Sequence, residues 1–138
     1  MTICYDSRTG NVQRFIGKVK QLRPNWTIIH IDERDETSLY NVTYPIHLIT
    51  YTTKFGEVPE NTSVFINKIG MKNIATVASS GNRNWGANFA LAAVKIAKLT
   101  LPDLPYLQFE LSGVTEDIKA YIKMVEDNAS VRQLHQYP

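Results

Sequence analysis

The 138-residue sequence contains one cysteine, Cys4, so no internal disulfide can form. Cys4 lies in a β-branched, aromatic run, which marks it as a small buried side chain and not a reactive thiol. No apolar stretch approaches the ~20 residues of a membrane-spanning helix, so no membrane role is expected. The first residues lack the basic and apolar regions of a signal peptide. The cytoplasm is therefore the expected location, and the sequons at Asn25, Asn41, Asn61 and Asn128 read as chance matches. An excess of one charge is also missing. Fifteen Lys and Arg against 13 Asp and Glu give a net charge of +2, too small to point to nucleic acid. His30, His47 and His135 show no H-x-x-H or H-E-x-x-H spacing, so no metal site is expected. The run Asp32-Glu33-Arg34-Asp35-Glu36 mixes signs and reads as a solvated loop.

Familiar catalytic signatures are lacking as well. Gly81-x-x-x-x-Gly86 is half of a P-loop, but Ala87-Asn88 follow it in place of Lys-Ser or Lys-Thr. No G-x-G-x-x-G follows a strand, and no G-x-S-x-G elbow occurs. Without a nucleophile–base set, hydrolysis has little support. A bound redox cofactor would supply the chemistry instead.

What is present alternates strand and helix patterns. Thr2–Tyr5, Trp26–Ile31, Pro45–Tyr51, Asn73–Ala78 and a stretch within Leu104–Leu111 read as strands. Val12, Phe15, Ile16 and Val19 recur at helical spacing. A second helix opens at Val58-Pro59-Glu60, turns Thr62, Phe65, Ile66 and Ile69 inward, and ends at Gly70. A third, Ala-rich helix is expected over Ala87–Lys98. A fourth is expected to be capped by Thr115, with Ile118, Tyr121, Ile122 and Val125 inward. Residues 128–138 show no period and are expected to form a loose tail. The rest suits one domain spanning 1–138.

Five strands alternating with helices predict an α/β three-layer sandwich with a parallel sheet covered on both faces. The flavodoxin-like order 2-1-3-4-5 is the leading choice, and it places ligands at the carboxyl ends of the strands. Three loops leave that edge: Ser7–Val12, Tyr51–Glu57 and Ser79–Gly86. The first is a strand-to-helix turn, where unpaired N–H groups and the helix dipole suit a phosphate. Ser7 and Thr9 offer hydroxyls, Arg8 a charge, and Gly10 room for close approach. An ordinary turn capped by Ser7 or Thr9 is the alternative. The turn resembles the phosphate loop of flavodoxin-like proteins, which holds the phosphate of FMN, with Val12 where a second Thr is usual. The other two loops offer Tyr51, Phe55 and Trp85 as faces for a flavin ring.

Ser80-Gly81-Asn82-Arg83-Asn84-Trp85-Gly86, with Asn88-Phe89-Ala90 after it, resembles the signature loop of the NrdI family. Phe109-Glu110-Leu111-Ser112-Gly113, Ser7–Asn11 and Ile49-Thr50-Tyr51-Thr52 with Phe55-Gly56 are similar to that family too. The resemblance spans Ile3 to about Val125. It implies a small FMN-binding protein that works with class Ib ribonucleotide reductase, whose small subunit carries a dimanganese site and a tyrosyl radical. The flavin, reduced by an electron donor, would react with molecular oxygen and supply superoxide or peroxide to that site. By position, Ser7, Arg8, Thr9, Gly10 and Asn11, with Val12, would hold the phosphate. Thr50, Tyr51, Thr52, Thr53, Phe55 and Gly56 would line one side of the ring. Ser80, Gly81, Asn82, Trp85 and Gly86 would line the other. The resemblance implies no catalytic side chain beyond the flavin. Two readings compete: a general electron-transfer flavodoxin, and a cofactor-free interaction module on the same fold.

Overall fold

The computed structural model describes residues 1–31 and 42–130. The run Asp32–Glu36 and residues 131–138 of the expected tail lie outside the described residues. The elements are β1 (Thr2–Tyr5), α1 (Asn11–Leu22), β2 (Thr27–His30), β3 (Ile46–Tyr51), α2 (Glu60–Ile69), β4 (Ile74–Gly81), α3 (Leu91–Ala97), β5 (Tyr106–Glu110) and α4 (Thr115–Asp127). The five strands form one sheet in the order 2-1-3-4-5, and every neighbouring pair is parallel.

Side-chain alternation along the inner strands feeds two cores. Ile3, Ile49 and Ala78 meet Val12, Phe15 and Val19 of α1 and Ile118, Tyr121 and Ile122 of α4. Cys4, Leu48 and Val77 point the other way, onto Phe65 and Ile66 of α2 and Ala93 and Ile96 of α3. Because both faces are covered, β3 and β4 are buried along nearly their whole length, which is why their sequences do not alternate. Phe15 anchors the first core. Its ring stacks on Phe109 at 4.1 Å and meets the edge of Tyr121 at 5.5 Å. Burying a side chain of this size stabilises by ~2 kcal/mol or more. Burial pushes the Cys4 thiol up to about 12, so it stays protonated in the strand.

The starts of β2, β3, β4 and α2 and the end of β2 fall within a residue or two of the sequence expectation, with Pro59 capping α2 from outside it, and three differences are larger or change how an element begins. β4 runs on through Ser79, Ser80 and Gly81. The expected helix from Ala87 is instead a 3-10 turn over Arg83–Asn88 followed by α3. Positive φ at Gly86 (58°) and Ala90 (46°) breaks the helical path twice. α4 is led by Val114, whose N–H donates to Asp117 Oδ2 at 2.9 Å, so Thr115 is its first helical residue and not its cap.

Candidate functional site

β1 ends at Tyr5, and the chain crosses to α1 through Asp6-Ser7-Arg8-Thr9-Gly10. Gly10 takes φ +94°, a left-handed conformation that a Cβ disfavours, and so lets the chain turn sharply into the helix. The backbone N–H groups of Ser7 through Val12 find no acceptor among the described residues. Ser7 Oγ accepts from Gln13 N at 3.2 Å and keeps its own proton to donate. The first turn of α1 holds no acidic residue, whereas α2 opens with Glu60 and α4 with Glu116 and Asp117. The positive end of the α1 dipole is thus left for an anion from outside the chain.

This turn forms one wall of a cavity of about 230 Å³. Ser7, Arg8, Thr9, Asn11 and Val12 line it from the first loop. Tyr51 and Thr52 line it from the end of β3. Ser80, Gly81, Asn82 and Trp85 line it from β4 and the turn beyond. The sequence had brought these three segments to one edge, and the structure joins them around one space. Leu111 completes the wall from the end of β5. It is not among the expected site residues, although it lies in the Phe109–Gly113 segment that resembles the family. Its signal was its place just past a strand's carboxyl end, where it adopts φ +53°.

The remaining expected residues are placed differently. Thr50 is fully buried, and its hydroxyl meets Thr62 Oγ1 at 2.7 Å. Thr62 in turn donates to Asp6 Oδ2 at 2.8 Å, so Thr50 donates to Thr62. The buried Asp6 carboxylate therefore ties the root of the first loop to β3 and α2. Thr53 and Glu57 exchange backbone bonds of 3.0 and 2.7 Å and close a tight hairpin. Lys54 sits there at φ +50° and Gly56 at φ +79°. A Cβ on Gly56 would lie 2.8 Å from Leu91 Cδ2 and 3.1 Å from Asn88 Oδ1, so the hairpin leans on the next loop. Phe55 projects from the hairpin 80% exposed and lies outside the cavity wall. Gly10 and Gly86 shape the backbone beside the cavity without lining it.

Cross-links hold the walls at fixed spacing. Thr52 N donates to Ser80 O at 3.1 Å. Thr52 Oγ1 accepts from Ala92 N, Ser79 Oγ donates to Ala90 O, and Ser80 Oγ donates to Leu111 O. All three hydroxyls bond to the framework, and Thr52 keeps its own proton to donate. A second cleft of about 540 Å³ adjoins the first and shares Arg8 and Tyr51 with it. Lys54 lines that cleft and makes no ion pair among the described residues. Arg83 is different. It pairs with Glu110 at 3.6 Å and lies 4.5 Å over the Phe89 ring, so its charge is largely answered. Burial pushes the Tyr51 phenol up, Asp6 pushes it further, and Arg8 opposes both, so Tyr51 is a neutral donor at pH 7. No cluster of three or more metal-ligating side chains occurs among the described residues.

A loop of free N–H donors beside two aromatic side chains, Tyr51 and Trp85, fits a phosphate ester that carries a flat ring. The cavity is smaller than the ~300–1,000 Å³ usual for an enclosing small-molecule site, so it would hold part of such a ligand and leave an edge at the rim.

The family model described as NrdI flavodoxin-like matches residues 3–123. Protein NrdI of Bacillus licheniformis is 43% identical over 127 residues, covering 90% of this chain and 86% of that protein. The SPbeta prophage-derived protein NrdI of Bacillus subtilis is 46% identical over 123 residues, 88% of each chain. A solved short-chain flavodoxin, associated with a non-canonical PDU bacterial microcompartment, superposes with a TM-score of 0.71 at 17% identity. The match covers 95% of this chain and 97% of that one.

Proposed function

Because the chain belongs to the NrdI flavodoxin-like family, we propose that it binds one FMN and, once reduced, supplies an oxidant made from oxygen to the dimanganese small subunit of class Ib ribonucleotide reductase. The observation that carries this reading is the run of six N–H groups, Ser7 to Val12, that find no acceptor among the described residues and lie on a cavity that Tyr51 and Trp85 flank. Bound and reduced, FMN supplies the electrons that turn oxygen into superoxide or hydrogen peroxide. The chain does the rest. Its first loop would hold the phosphate through backbone donors, the Ser7 and Thr9 hydroxyls and the Arg8 charge.

Tyr51 and Trp85 would pack against the ring, and Thr52, Gly81 and Asn82 line the cavity where its edge would lie. Part of the ring would stay at the rim, within reach of oxygen. Lys54, at the neighbouring cleft and without an ion pair among the described residues, would favour an anionic product such as superoxide. A short-lived oxidant travels best without crossing bulk water, so the partner subunit docks over this edge. The protein takes its electrons from a separate donor and works in the cytoplasm. No helix among the described residues is long and apolar enough to cross a membrane.

The test begins with apoprotein titrated with FMN, followed by flavin absorbance and fluorescence. One FMN per chain is expected, and FAD should not replace it. The anaerobically reduced protein is then mixed with oxygen, and superoxide and hydrogen peroxide are measured. A protein that binds no FMN contradicts the reading. One that binds it but donates only to protein acceptors is a general electron-transfer flavodoxin.

A further inference from the structure

We infer that Arg14 is a positioning residue for the phosphate end of the site, and that it makes the cavity discriminate FMN from riboflavin. The inference rests on the FMN reading above. Arg14 stands one turn into α1, exposed, and does not line the cavity. Its backbone N–H donates to Gly10 O at 2.9 Å. Its side chain folds back over the loop. Nη2 donates to Asn11 Oδ1 at 2.6 Å. Nη1 lies 2.8 Å from where a Cβ on Gly10 would stand. The guanidinium therefore occupies the space that the missing Gly10 side chain leaves.

That contact decides which way Asn11 faces. A guanidinium has donors only, so the Asn11 carboxamide must turn its oxygen to Arg14. Its NH2 end is then free, with no acceptor among the described residues, and Asn11 lines the cavity. Without Arg14 the amide could flip and present oxygen to a phosphate, which repels it. Arg14 also adds a second cation, besides Arg8, to the same loop, and it pairs with no carboxylate among the described residues. The Asp6 carboxylate in the same loop is buried and engaged by Thr62. The phosphate end is thus a set of donors with two positive charges, matched to a dianion.

A phosphate monoester carries about −1.5 to −2 charges near pH 7. Riboflavin has the same ring and ribityl chain but only a hydroxyl at that end. Arg14 should therefore act on FMN binding and hardly on riboflavin binding. A residue that merely packs on Gly10 would affect both flavins alike.

The experiment titrates wild-type, Arg14→Gln, Asn11→Ala and doubly substituted apoprotein with FMN and with riboflavin, read by flavin fluorescence quenching. Arg14→Gln should weaken FMN about tenfold, the scale of one charge-assisted hydrogen bond, and leave riboflavin within about twofold. In the Asn11→Ala background the same change should cost less than in the wild type, because the amide orientation is already lost and only the charge remains. Urea unfolding of each apoprotein checks that Arg14→Gln leaves the fold intact. Equal weakening of both flavins, or no weakening of FMN, overturns the role given to Arg14. Failure of the wild-type protein to bind FMN overturns the functional reading itself.

Discussion

Gly81→Ala tests whether the cavity wall is built as described. Gly81 is the last residue of β4, it lines the cavity, and its carbonyl accepts from Leu111 N at 2.9 Å. Its φ is unremarkable, so backbone strain is not what requires glycine here. Space is. A Cβ would run into the backbone N of Ala90 and lie 2.7 Å from its Cα. Backbone cannot swing aside as a flexible side chain can, so Ala90 must move by about 1 Å to reach ordinary contact distance. Ala90 is fully buried at φ +46°. Its carbonyl accepts from Ser79 Oγ at 2.7 Å and Gln108 Nε2 at 3.4 Å. Overpacking of this kind costs about 1–3 kcal/mol, and loosening the Ser79 bond adds about 1 kcal/mol. A loss near 3 kcal/mol is a large part of the ~5–15 kcal/mol that holds a domain together. The shift also moves the β4 wall away from Tyr51, so FMN affinity should fall with stability. Urea unfolding of the apoprotein and an FMN titration measure the two effects. Gly17→Ala is the control. Gly17 is exposed in mid-α1 with nothing within 4 Å of a Cβ, so it should gain about 0.5–1 kcal/mol. A Gly81→Ala protein that loses under about 0.5 kcal/mol and binds FMN normally would refute the packing argument.

His47 and Tyr121 give two further tests away from the site. His47 is buried against Thr76 Oγ1, and burial, aided by the N-terminal ammonium, lowers its pKa from 6.5 to about 4. The unfolded chain therefore takes up this proton first, and the stability present above pH 6.5 is lost as pH falls toward 4. The loss attributable to His47 is about 3 kcal/mol, and His47→Gln should flatten that part of the pH–stability curve in urea titrations. An identical acid slope in the variant would contradict the assignment. The Tyr121 hydroxyl is buried and has no partner among the described residues. Tyr121→Phe should keep the ring contacts with Phe15 and leave stability unchanged or raised by up to about 1 kcal/mol, measured by thermal unfolding. A clear loss would mean the hydroxyl has a partner.

The strand and helix order was legible because β1, β3 and β4 are largely apolar or β-branched runs, and α1, α2 and α4 show clear apolar stripes. The sheet order followed from the count of strands and the fold family's pattern. The three site loops were legible for the same reason, since parallel sheets bring their strand ends to one edge. Side-chain direction was not. Thr52 and Ser80 stand in the right segments, yet their hydroxyls bind Ala92 N and Leu111 O and serve the framework. Nothing in a single sequence separates a framework hydroxyl from a ligand-facing one. The end of β4 was hidden because Ser79-Ser80-Gly81 has turn composition, although the sheet on either side keeps it extended. The start of α3 was hidden by good helix formers at Ala87 and Ala90. There the positive φ at Gly86 and Ala90, set by tertiary packing, overrides local propensity. Arg14 escaped notice because it lies on the solvent side of a helix stripe, and only its contact with Asn11 gives it a role.

The central claim is delivery of an oxidant, and one measurement meets it directly. The reduced FMN-loaded protein is mixed with oxygen and the manganese-loaded small subunit of a class Ib ribonucleotide reductase, and the tyrosyl radical is followed by electron paramagnetic resonance. The expected result is a radical signal that requires this protein and that persists when catalase and superoxide dismutase are present. A radical that forms equally without the protein, or none although the two proteins bind, would contradict it.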